Sequence, residues 1–364
     1  MHMAALPIGL TYWDVGRLVT IVCLPLLLSC CYVTTVLVCL SITYVAFFLY
    51  RKSTIKRIPI SGQGVLITGC DTGFGHEFAK RLDSLGFTVF AGCLSEQSDG
   101  AKNLKASKTG RLHVLGLNIT KDDEVLKAVT YVTKVHEKSG CGLWALVNNA
   151  GLNVLGDIEL CTMEMFYKIS EVNMYGMVRV TKAFLPLIRK SKGRILNTTS
   201  VKGRLCLPKN AAYGITKFGG EAFSDVLRLE MLKFGVRVIV IEPGNYGGAT
   251  GMLNEQSLKA IKRDFNAMAE KVSAEVQEVY NAKQYLEDLY KAVCGSSNST
   301  YPGLKPVVDA MEDAVVSTHP KYRYLIDGSN SFYDVYCTFA RLTPYLPESW
   351  MDYLVDRTFA SGKQ

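Results

Sequence analysis

Several features that mark other protein classes are scarce or missing in this sequence. Its 364 residues include 5 scattered His, with no paired spacing that would suit a zinc site. The 11 Cys are an odd number, contain no CxxC pair, and four of them lie in one apolar run. A small disulfide scaffold is therefore excluded and no metal site is predicted. The remaining thiols are expected to be reduced, as in a cytosol-facing protein.

Acidic residues are fewer than basic ones, 33 against 41, which gives a formal net charge of +8. Half of this excess lies directly after an apolar run, at Arg51, Lys52, Lys56 and Arg57. No arginine-rich helix and no zinc-finger pattern accompanies it. Membrane headgroups are therefore the expected partner of this basic cluster, and nucleic acid is not.

Charge is missing altogether from residues 18–50. A bilayer core needs about 20 apolar helical residues, so this run can span once with surplus or nearly twice as a hairpin. It is too long for a signal peptide, and residues 1–50 hold a single Arg, unlike a mitochondrial presequence. We predict a membrane anchor at residues 1–60. The positive-inside rule then places the rest of the chain in the cytosol, at the endoplasmic reticulum or, as an alternative, at a mitochondrial membrane.

From Gly64 onward, short β-rich runs alternate with amphipathic helical stretches. This alternation predicts an α/β fold with a doubly wound parallel sheet covered by helices on both faces. No linker divides residues 62–310, so we predict one nucleotide-binding domain at 61–310 and a C-terminal helical extension at 311–364. The predicted strands are Gly64–Thr68, Thr88–Leu94, Leu112–Leu117, Leu143–Asn148, Arg194–Thr199 and Val236–Ile241, with helices near 75–85, 121–138, 162–190 and 212–234.

A glycine-rich turn follows the first predicted strand and opens the first helix. Glycines here let a pyrophosphate approach the backbone at a helix N-terminus. Because the turn belongs to the first βα unit, it predicts a dinucleotide site. The predicted cofactor contacts in this turn are Gly69, Asp71, Thr72, Gly73, Phe74 and Gly75.

The second predicted strand ends at Cys93 and Leu94, where a dinucleotide fold meets the adenosine ribose. An acidic residue there would bind the 2′-hydroxyl of NAD, and an Arg would bind the 2′-phosphate of NADP. Neither is present. Since residues 93–95 offer no cation to a 2′-phosphate and Asp71 lies in the turn, NAD is the predicted cofactor.

Three side chains have the chemistry of an alcohol dehydrogenase. Tyr213 and Lys217 are four residues apart, so they share one face of a helix. A phenol with a pKa near ~10 is a poor base at neutral pH unless a nearby ammonium favours the phenolate, and Lys217 can supply that charge. Ser200, at the end of the fifth strand, can hydrogen-bond the substrate oxygen and stabilise developing alkoxide charge.

This ordered set resembles the short-chain dehydrogenase/reductase family over about residues 62–330. The resemblance implies a Rossmann-like fold, hydride transfer to a nicotinamide cofactor, and a fourth catalytic residue, Asn173, which holds a water in the proton relay. Lys217 would also bind the nicotinamide ribose. Asn118 stands where the family usually has an Asp that contacts adenine. The remaining cofactor contacts that the resemblance implies are Asn118, Ile119, Asn149, Ala150, Gly151, Tyr213, Pro243, Gly244 and Asn245.

Within the family, several stretches resemble the membrane-associated branch that holds D-3-hydroxybutyrate dehydrogenase, 17β-hydroxysteroid dehydrogenase type 2 and the retinol dehydrogenases. These stretches are residues 86–93, 181–187, 217–225, 241–245 and 320–324. The branch implies an NAD-linked oxidoreductase of secondary or allylic alcohols.

Substrate specificity is expected in residues 245–300 and in the C-terminal extension. The aromatic, amphipathic residues at 332–354 suit a membrane-facing substrate cap, and plain core packing fits them equally well. A tethered enzyme gains most from a substrate in the bilayer, so a steroid, retinoid or similar lipid alcohol or ketone is expected.

Two alternative functions remain open. One is D-3-hydroxybutyrate dehydrogenase, for which Lys202 or Arg204 could bind the substrate carboxylate. The other is an inactive cofactor- or lipid-binding member, against which the intact catalytic set argues. The oligomeric state is also open, with a homodimer as one alternative.

Overall fold

The computed structural model describes residues 31–54, 56–140, 142–296, 300–331 and 333–360. The chain divides into two compact units, residues 1–57 and residues 58–364.

The first unit contains one described helix, α1, at Cys31–Thr54. Its described side chains, at residues 34–47, are all exposed, and they include Leu40, Ile42 and Phe47. Among the described residues, no helix combines the length and the apolar character that a membrane crossing requires. Residues 18–30 of the predicted anchor lie outside the described part of the chain.

The second unit is built on a seven-stranded sheet in which every pairing is parallel. The strands are β1 Gly64–Thr68, β2 Thr88–Cys93, β3 Leu112–Gly116, β4 Leu143–Asn148, β5 Arg194–Thr198, β6 Arg237–Pro243 and β7 Arg323–Ile326. The strand order β3-β2-β1-β4-β5-β6-β7 reverses direction between β1 and β4, which creates a crevice at the carboxyl ends of these strands. The predicted Rossmann-like α/β sheet is confirmed.

Helices cover both faces of the sheet, and each face has its own apolar core. On one face, Phe78 and Leu82 of the first crossover helix pack with Met311. On the other face, Phe184 and Ile188 belong to a second buried apolar cluster. Because both faces are covered, the central strands are almost continuously apolar. The helices of this unit are α2 Gly73–Leu85, α3 Asp99–Lys105, α4 Asp122–Ser139, α5 Met163–Ser170, α6 Met177–Ser191, α7 Ala211–Met231, α8 Glu255–Lys271, α9 Ala274–Tyr280, α10 Ala282–Ser296, α11 Lys305–Val316, α12 Val335–Leu342 and α13 Glu348–Val355.

The helix predicted at 162–190 is interrupted. Between α5 and α6, residues Glu171–Gly176 form a π-helical segment. A π turn changes the hydrogen-bonding register of the backbone and rotates the side chains that follow, and such turns are frequent at functional sites. Here the segment contains the buried Asn173.

The predicted boundary at 310/311 falls inside α11, which packs on the sheet. Beyond it, β7 extends the sheet next to β6, so the residues up to 326 belong to the same layered core. A four-residue edge strand has too little periodicity to be recognised in the sequence. The last two helices pack instead on the segment after β5, where Cys337, Ala340 and Met351 contact Val201 and Leu205.

Candidate active site

The glycine turn lies at the carboxyl end of β1, beside the crevice. Gly69 and Gly73 have φ values of +71° and +65°, in the left-handed region that favours glycine. A Cβ atom on Gly75 would lie 2.4 Å from the carbonyl oxygen of Gly69. The turn therefore forms a cradle without side chains at the N-terminus of α2, which fits the pyrophosphate of a dinucleotide.

The segment after β4 is hydrogen-bonded to this turn. The backbone N–H groups of Asn149 and Ala150 donate to Thr68 Oγ1 at 3.0 and 3.1 Å. Asn149 Nδ2 also donates to the carbonyl oxygens of Thr68 and Gly69 at 3.0 and 3.1 Å. A Cβ atom on Gly151 would lie 3.7 Å from Lys217 Nζ. The structure thus brings two of the predicted cofactor motifs together and places them beside Lys217.

Asp71 reaches from the glycine turn to the end of β2. Its carboxylate accepts hydrogen bonds from the backbone N–H groups of Leu94 at 2.7 Å and Ser95 at 3.3 Å. The sequence shows no acidic residue at the end of this strand, and the fold supplies one from the neighbouring turn. The side chain of Leu94 is 68% exposed and adds no cation. The expected ribose position therefore carries negative charge.

Asn118 and Ile119 follow β3 as predicted. Asn118 Oδ1 accepts hydrogen bonds from the Thr120 backbone N–H at 3.0 Å and the Thr120 hydroxyl at 2.8 Å, which closes a local turn. Ile119 is buried, and a Cβ atom on Gly176 would lie 2.6 Å from its Cδ1. Ile119 therefore packs against the π-helical segment.

The segment after β6 lies between the glycine turn and Ser200. The carbonyl oxygen of Pro243 accepts a hydrogen bond from Ser200 Oγ at 3.4 Å. The Gly244 N–H donates to the Ile326 carbonyl oxygen at 2.8 Å, and the Asn245 carbonyl accepts from the Tyr301 N–H at 3.2 Å. Further along, Thr250 Cβ would be 3.4 Å from a Cβ atom on Gly73. This segment therefore contacts Ser200 near its start and the glycine turn further along.

Tyr213, Ser200 and Lys217 meet at the carboxyl end of the sheet. Burial raises the pKa of the Tyr213 phenol to about 12, and its hydrogen bond with Ser200 acts in the opposite direction. Lys217 Nζ lies 5.3 Å from the centre of the Tyr213 ring and donates to the Thr198 carbonyl oxygen at 3.1 Å. Burial lowers the pKa of Lys217 to about 8, which the negative charge of Glu221 opposes.

Asn173 joins the loop after β4 to α7. Its Oδ1 accepts from the Leu152 N–H at 2.7 Å, and its Nδ2 donates to the Leu152 carbonyl at 2.9 Å and to Thr216 Oγ1 at 3.1 Å. Thr216 Oγ1 in turn donates to the Tyr213 carbonyl at 2.8 Å. Both amide hydrogens of Asn173 are thus used, and the side chain links the π-helical segment to the helix that carries Tyr213.

Lys202 is a second lysine at the Tyr213 ring. Its Nζ lies 5.6 Å from the ring centre and donates to Asn210 Oδ1 at 2.6 Å. Burial lowers the pKa of Lys202 to about 8. Arg204 pairs instead with Glu242, at 3.6 Å between Nη1 and Oε2. Of the two cations considered for a substrate carboxylate, the structure places Lys202 at the phenol and turns Arg204 away.

Tyr213 belongs to a buried apolar cluster whose members come from distant parts of the chain. The ring, 6% exposed, belongs to a buried cluster that includes Val154 and residues Ile261 and Phe265 of α8. Leu286 of α10 is in the same cluster. The sequence pointed to residues 245–300 as a region but not to these positions. In the described part of the chain, no group of three or more His, Cys, Asp or Glu side chains is arranged to hold a metal ion.

Comparisons with known proteins agree with this geometry. Residues 63–260 match the family model of the short chain dehydrogenases. The chain is 44% identical to D-beta-hydroxybutyrate dehydrogenase, mitochondrial, of Bos taurus, over 73% of this chain and 77% of that protein. It is 36% identical to estradiol 17-beta-dehydrogenase 2 of Mus musculus, over 85% of this chain and 79% of that protein.

A solved structure shows the same fold. A short-chain dehydrogenase from Streptomyces avermitilis is similar with a TM-score of 0.57 at 22% identity, over 84% of this chain and 100% of that one. The predicted family and its predicted branch are confirmed by these comparisons. The chain belongs to the short-chain dehydrogenase/reductase family and is an NAD(P)-dependent alcohol dehydrogenase of the branch that holds the hydroxybutyrate and estradiol enzymes.

Proposed function

We propose that this protein is an NAD-dependent oxidoreductase of a hydrophobic secondary or allylic alcohol, such as a steroid, a retinoid or a related lipid. The observation that carries this proposal is the apolar cluster around Tyr213, to which α8 and α10 contribute. An apolar pocket wall beside the reacting group favours an apolar substrate, because such a substrate loses little hydration when it enters the pocket. The proposed catalytic residues are Asn173, Ser200, Tyr213 and Lys217.

Tyr213 is the proton-transferring group in this proposal. With a pKa of about 12 the phenol is protonated at neutral pH and can donate its proton to a ketone oxygen. In the reverse direction it accepts the proton of an alcohol when the ammonium of Lys217 favours the phenolate. Ser200, which is hydrogen-bonded to the phenol, would bind the same substrate oxygen. Bound NAD would accept the hydride from the alcohol carbon.

The residues of the glycine turn fit a dinucleotide, and Asp71 supports the preference for NAD. The cradle has no room for a side chain at Gly69 or at Gly75, which leaves the backbone of the turn open to close contact with a pyrophosphate. A 2′-phosphate near the carboxylate of Asp71 would meet like charge, whereas a 2′-hydroxyl could donate a hydrogen bond to it.

A substrate panel tests this function. We would assay the full-length protein in detergent against steroid alcohols, retinol and 3-hydroxybutyrate, each with NAD and with NADP. The proposal expects the highest kcat/KM for a lipid alcohol with NAD, and no turnover by Tyr213→Phe. Turnover of 3-hydroxybutyrate alone would contradict the proposed substrate class, and preference for NADP would contradict the proposed cofactor.

D-3-hydroxybutyrate is the second candidate substrate. It is supported by the ammonium of Lys202 beside Tyr213 and by the 44% identity to the hydroxybutyrate enzyme of Bos taurus. A carboxylate could replace Asn210 as the partner of this ammonium. If this candidate is correct, Lys202→Met raises the KM for 3-hydroxybutyrate at least about tenfold and leaves the KM for NAD unchanged, because a charge-assisted hydrogen bond is lost. An equal effect on a lipid alcohol would contradict it.

We propose further that residues 18–50 anchor the chain in the endoplasmic reticulum membrane, with residues 58–364 in the cytosol. The charge-free run, the basic residues after it and the exposed apolar side chains at 34–47 support this arrangement. Protease added to sealed microsomes should digest the catalytic unit without detergent. A catalytic unit that is protected until detergent is added would show the opposite orientation, and recovery of the protein in mitochondria would favour the alternative membrane.

A further inference from the structure

Glu242 is a buried carboxyl group that the proposed reaction does not use. It lies in β6 directly before Pro243 and is 0% exposed. Within the described part of the chain, neither of its oxygens accepts a hydrogen bond from an N–H group or a hydroxyl. Its nearest counter-charges are two guanidinium groups, Arg204 Nη1 at 3.6 Å and Arg323 Nη1 at 3.5 Å. A buried carboxylate without donors is costly, so these two ion pairs decide whether Glu242 can stay ionised.

A second buried carboxylate shares one of these partners. Glu221, one helical turn after Lys217, is 8% exposed and forms an ion pair with the same Nη1 atom of Arg323. Asp225 binds the other end of this guanidinium, at 2.6 Å from Nη2. Three carboxylates therefore share Arg323, while Arg204 adds positive charge only at Glu242 and Arg228 only at Asp225. Crowding of this kind favours protonation of the least solvated carboxyl group, and burial together with the charge of Glu221 raises the pKa of Glu242 to about 7.

This cluster touches the chain on both sides of Ser200. Thr199, directly before Ser200, donates its hydroxyl to Glu221 Oε1 at 2.5 Å. Directly after Ser200 comes the 3-10 turn Val201–Gly203, and Arg204 ends it. A Cβ atom on Gly203 would lie 3.0 Å from both Glu221 Cγ and the Lys217 carbonyl oxygen, so the turn packs directly on α7. Small shifts of Arg204 therefore reach Ser200 and Lys202.

We propose that Glu242 is a positioning residue for the reaction. As a carboxylate it holds Arg204 against the sheet and fixes the turn of residues 200–204, which presents Ser200 and Lys202 beside Tyr213. The inference rests on the proposed function, in which Ser200 acts on the substrate oxygen. The charged groups that face Glu242 are Arg204 from the turn, Glu221 from α7 and Arg323 from β7. A proton on Glu242 removes the charge that holds Arg204.

The test compares Glu242→Gln with the wild type in the full-length protein in detergent, with the best alcohol and NAD, between pH 6 and pH 8.5. We expect kcat about tenfold lower in the variant at pH 8.5, because a misplaced catalytic hydroxyl costs at least that much. At pH 6 the wild type is itself protonated, so the two rates should agree within twofold. The KM for NAD should not change. A rate ratio that is constant across this pH range would indicate a merely structural role and overturn the proposal.

Asp225→Asn is the matched control, since Asp225 also pairs with Arg323 but is 45% exposed and does not contact Glu242 or Arg204. It should keep kcat within twofold of the wild type at every pH. If Glu242→Gln does not fold, Arg204→Gln removes the other half of the same contact and should lose kcat at pH 8.5 but not at pH 6. Wild-type rates in Arg204→Gln at both pH values would overturn the proposal.

Hydrogen exchange measured by mass spectrometry tests the positioning without any substrate, so it separates this inference from the proposed function. At pH 8, the backbone amides of residues 202–205 should exchange about tenfold faster in Glu242→Gln than in the wild type, since local opening becomes easier. The amides of β1 should be unchanged. Unchanged exchange at 202–205 would overturn the proposal even if the enzyme proves active.

Discussion

The proposed cofactor half and the proposed substrate half of this active site are built from different parts of the chain. In the cofactor half, backbone atoms and short side chains of neighbouring motifs hold one another, as Asn149 does with Thr68 and Gly69. In the substrate half, Tyr213 belongs to a buried apolar cluster that also holds side chains from helices 40 residues or more further along the chain, such as Phe265 and Leu286. We expect the first half to depend on close backbone contact, and the second on charge, proton transfer and packing.

The largest effect is expected in the substrate half. Tyr213→Phe should remove at least ~99% of turnover and leave the NAD dissociation constant within twofold, because the phenol transfers a proton rather than holding the cofactor. Single-turnover rates and NAD titration measure the two quantities. Tyr285→Phe is the control, since this tyrosine lies in the same apolar cluster and donates its hydroxyl to Asp157 at 2.5 Å. Near-normal turnover in Tyr213→Phe would refute the assignment.

In the cofactor half, the addition of a single methyl group should be enough to weaken NAD binding. Gly75→Ala puts a Cβ atom 2.4 Å from the Gly69 carbonyl oxygen and 2.6 Å from Asn149 Nδ2. Overpacking of this size costs about 1–3 kcal/mol, so NAD should bind about tenfold to a hundredfold more weakly. Gly295→Ala, at a helical position with open space, should bind NAD normally. Equal affinity in both variants would show that the turn does not form the cofactor cradle.

A smaller effect than in these two variants is expected on the preference between NAD and NADP. Leu94→Arg adds a cation where the fold now presents the carboxylate of Asp71, and should raise kcat/KM for NADP about tenfold relative to NAD. Leu94→Gln, which adds polarity without charge, is the control and should keep the preference of the wild type. A wild-type enzyme that prefers NADP would contradict our interpretation of Asp71.

The smallest expected effect is in the pH profile. Tyr213 and Lys217 interact, so the pair loses its first proton as one system, near the pKa of about 8 that burial gives Lys217. Oxidation needs the form of the Tyr213–Lys217 pair that has lost one of its two protons. The value of kcat/KM for the alcohol should therefore rise with pH up to about 8 and then level off. Lys217→Met should move this midpoint upward, because the phenol then titrates without the ammonium. A midpoint that stays in place would assign the titration to another group.

The sequence by itself determined the features that depend on local chain geometry. A strand followed by Gly69, Gly73 and Gly75 can make few other structures than a tight turn into a helix, because the left-handed φ values and the close contact exclude side chains. The spacing of Tyr213 and Lys217 places both on one helix face for the same local reason. Five of the six predicted strands match the observed ones within a residue at each end, and β6 differs by one residue at its start and two at its end.

Only the tertiary structure determined the direction of several side chains that follow the strands in the chain. Asp71 reaches β2, and Lys202 turns to Tyr213 while Arg204, two residues later, turns to Glu242. These directions depend on which distant groups offer a partner or a counter-charge, and no periodicity in the sequence encodes that choice. The edge strand β7 and the π-helical segment at Asn173 could not be predicted from the sequence for a related reason. Each is stabilised by neighbours far along the chain, and its own few residues show no preference strong enough to be recognised.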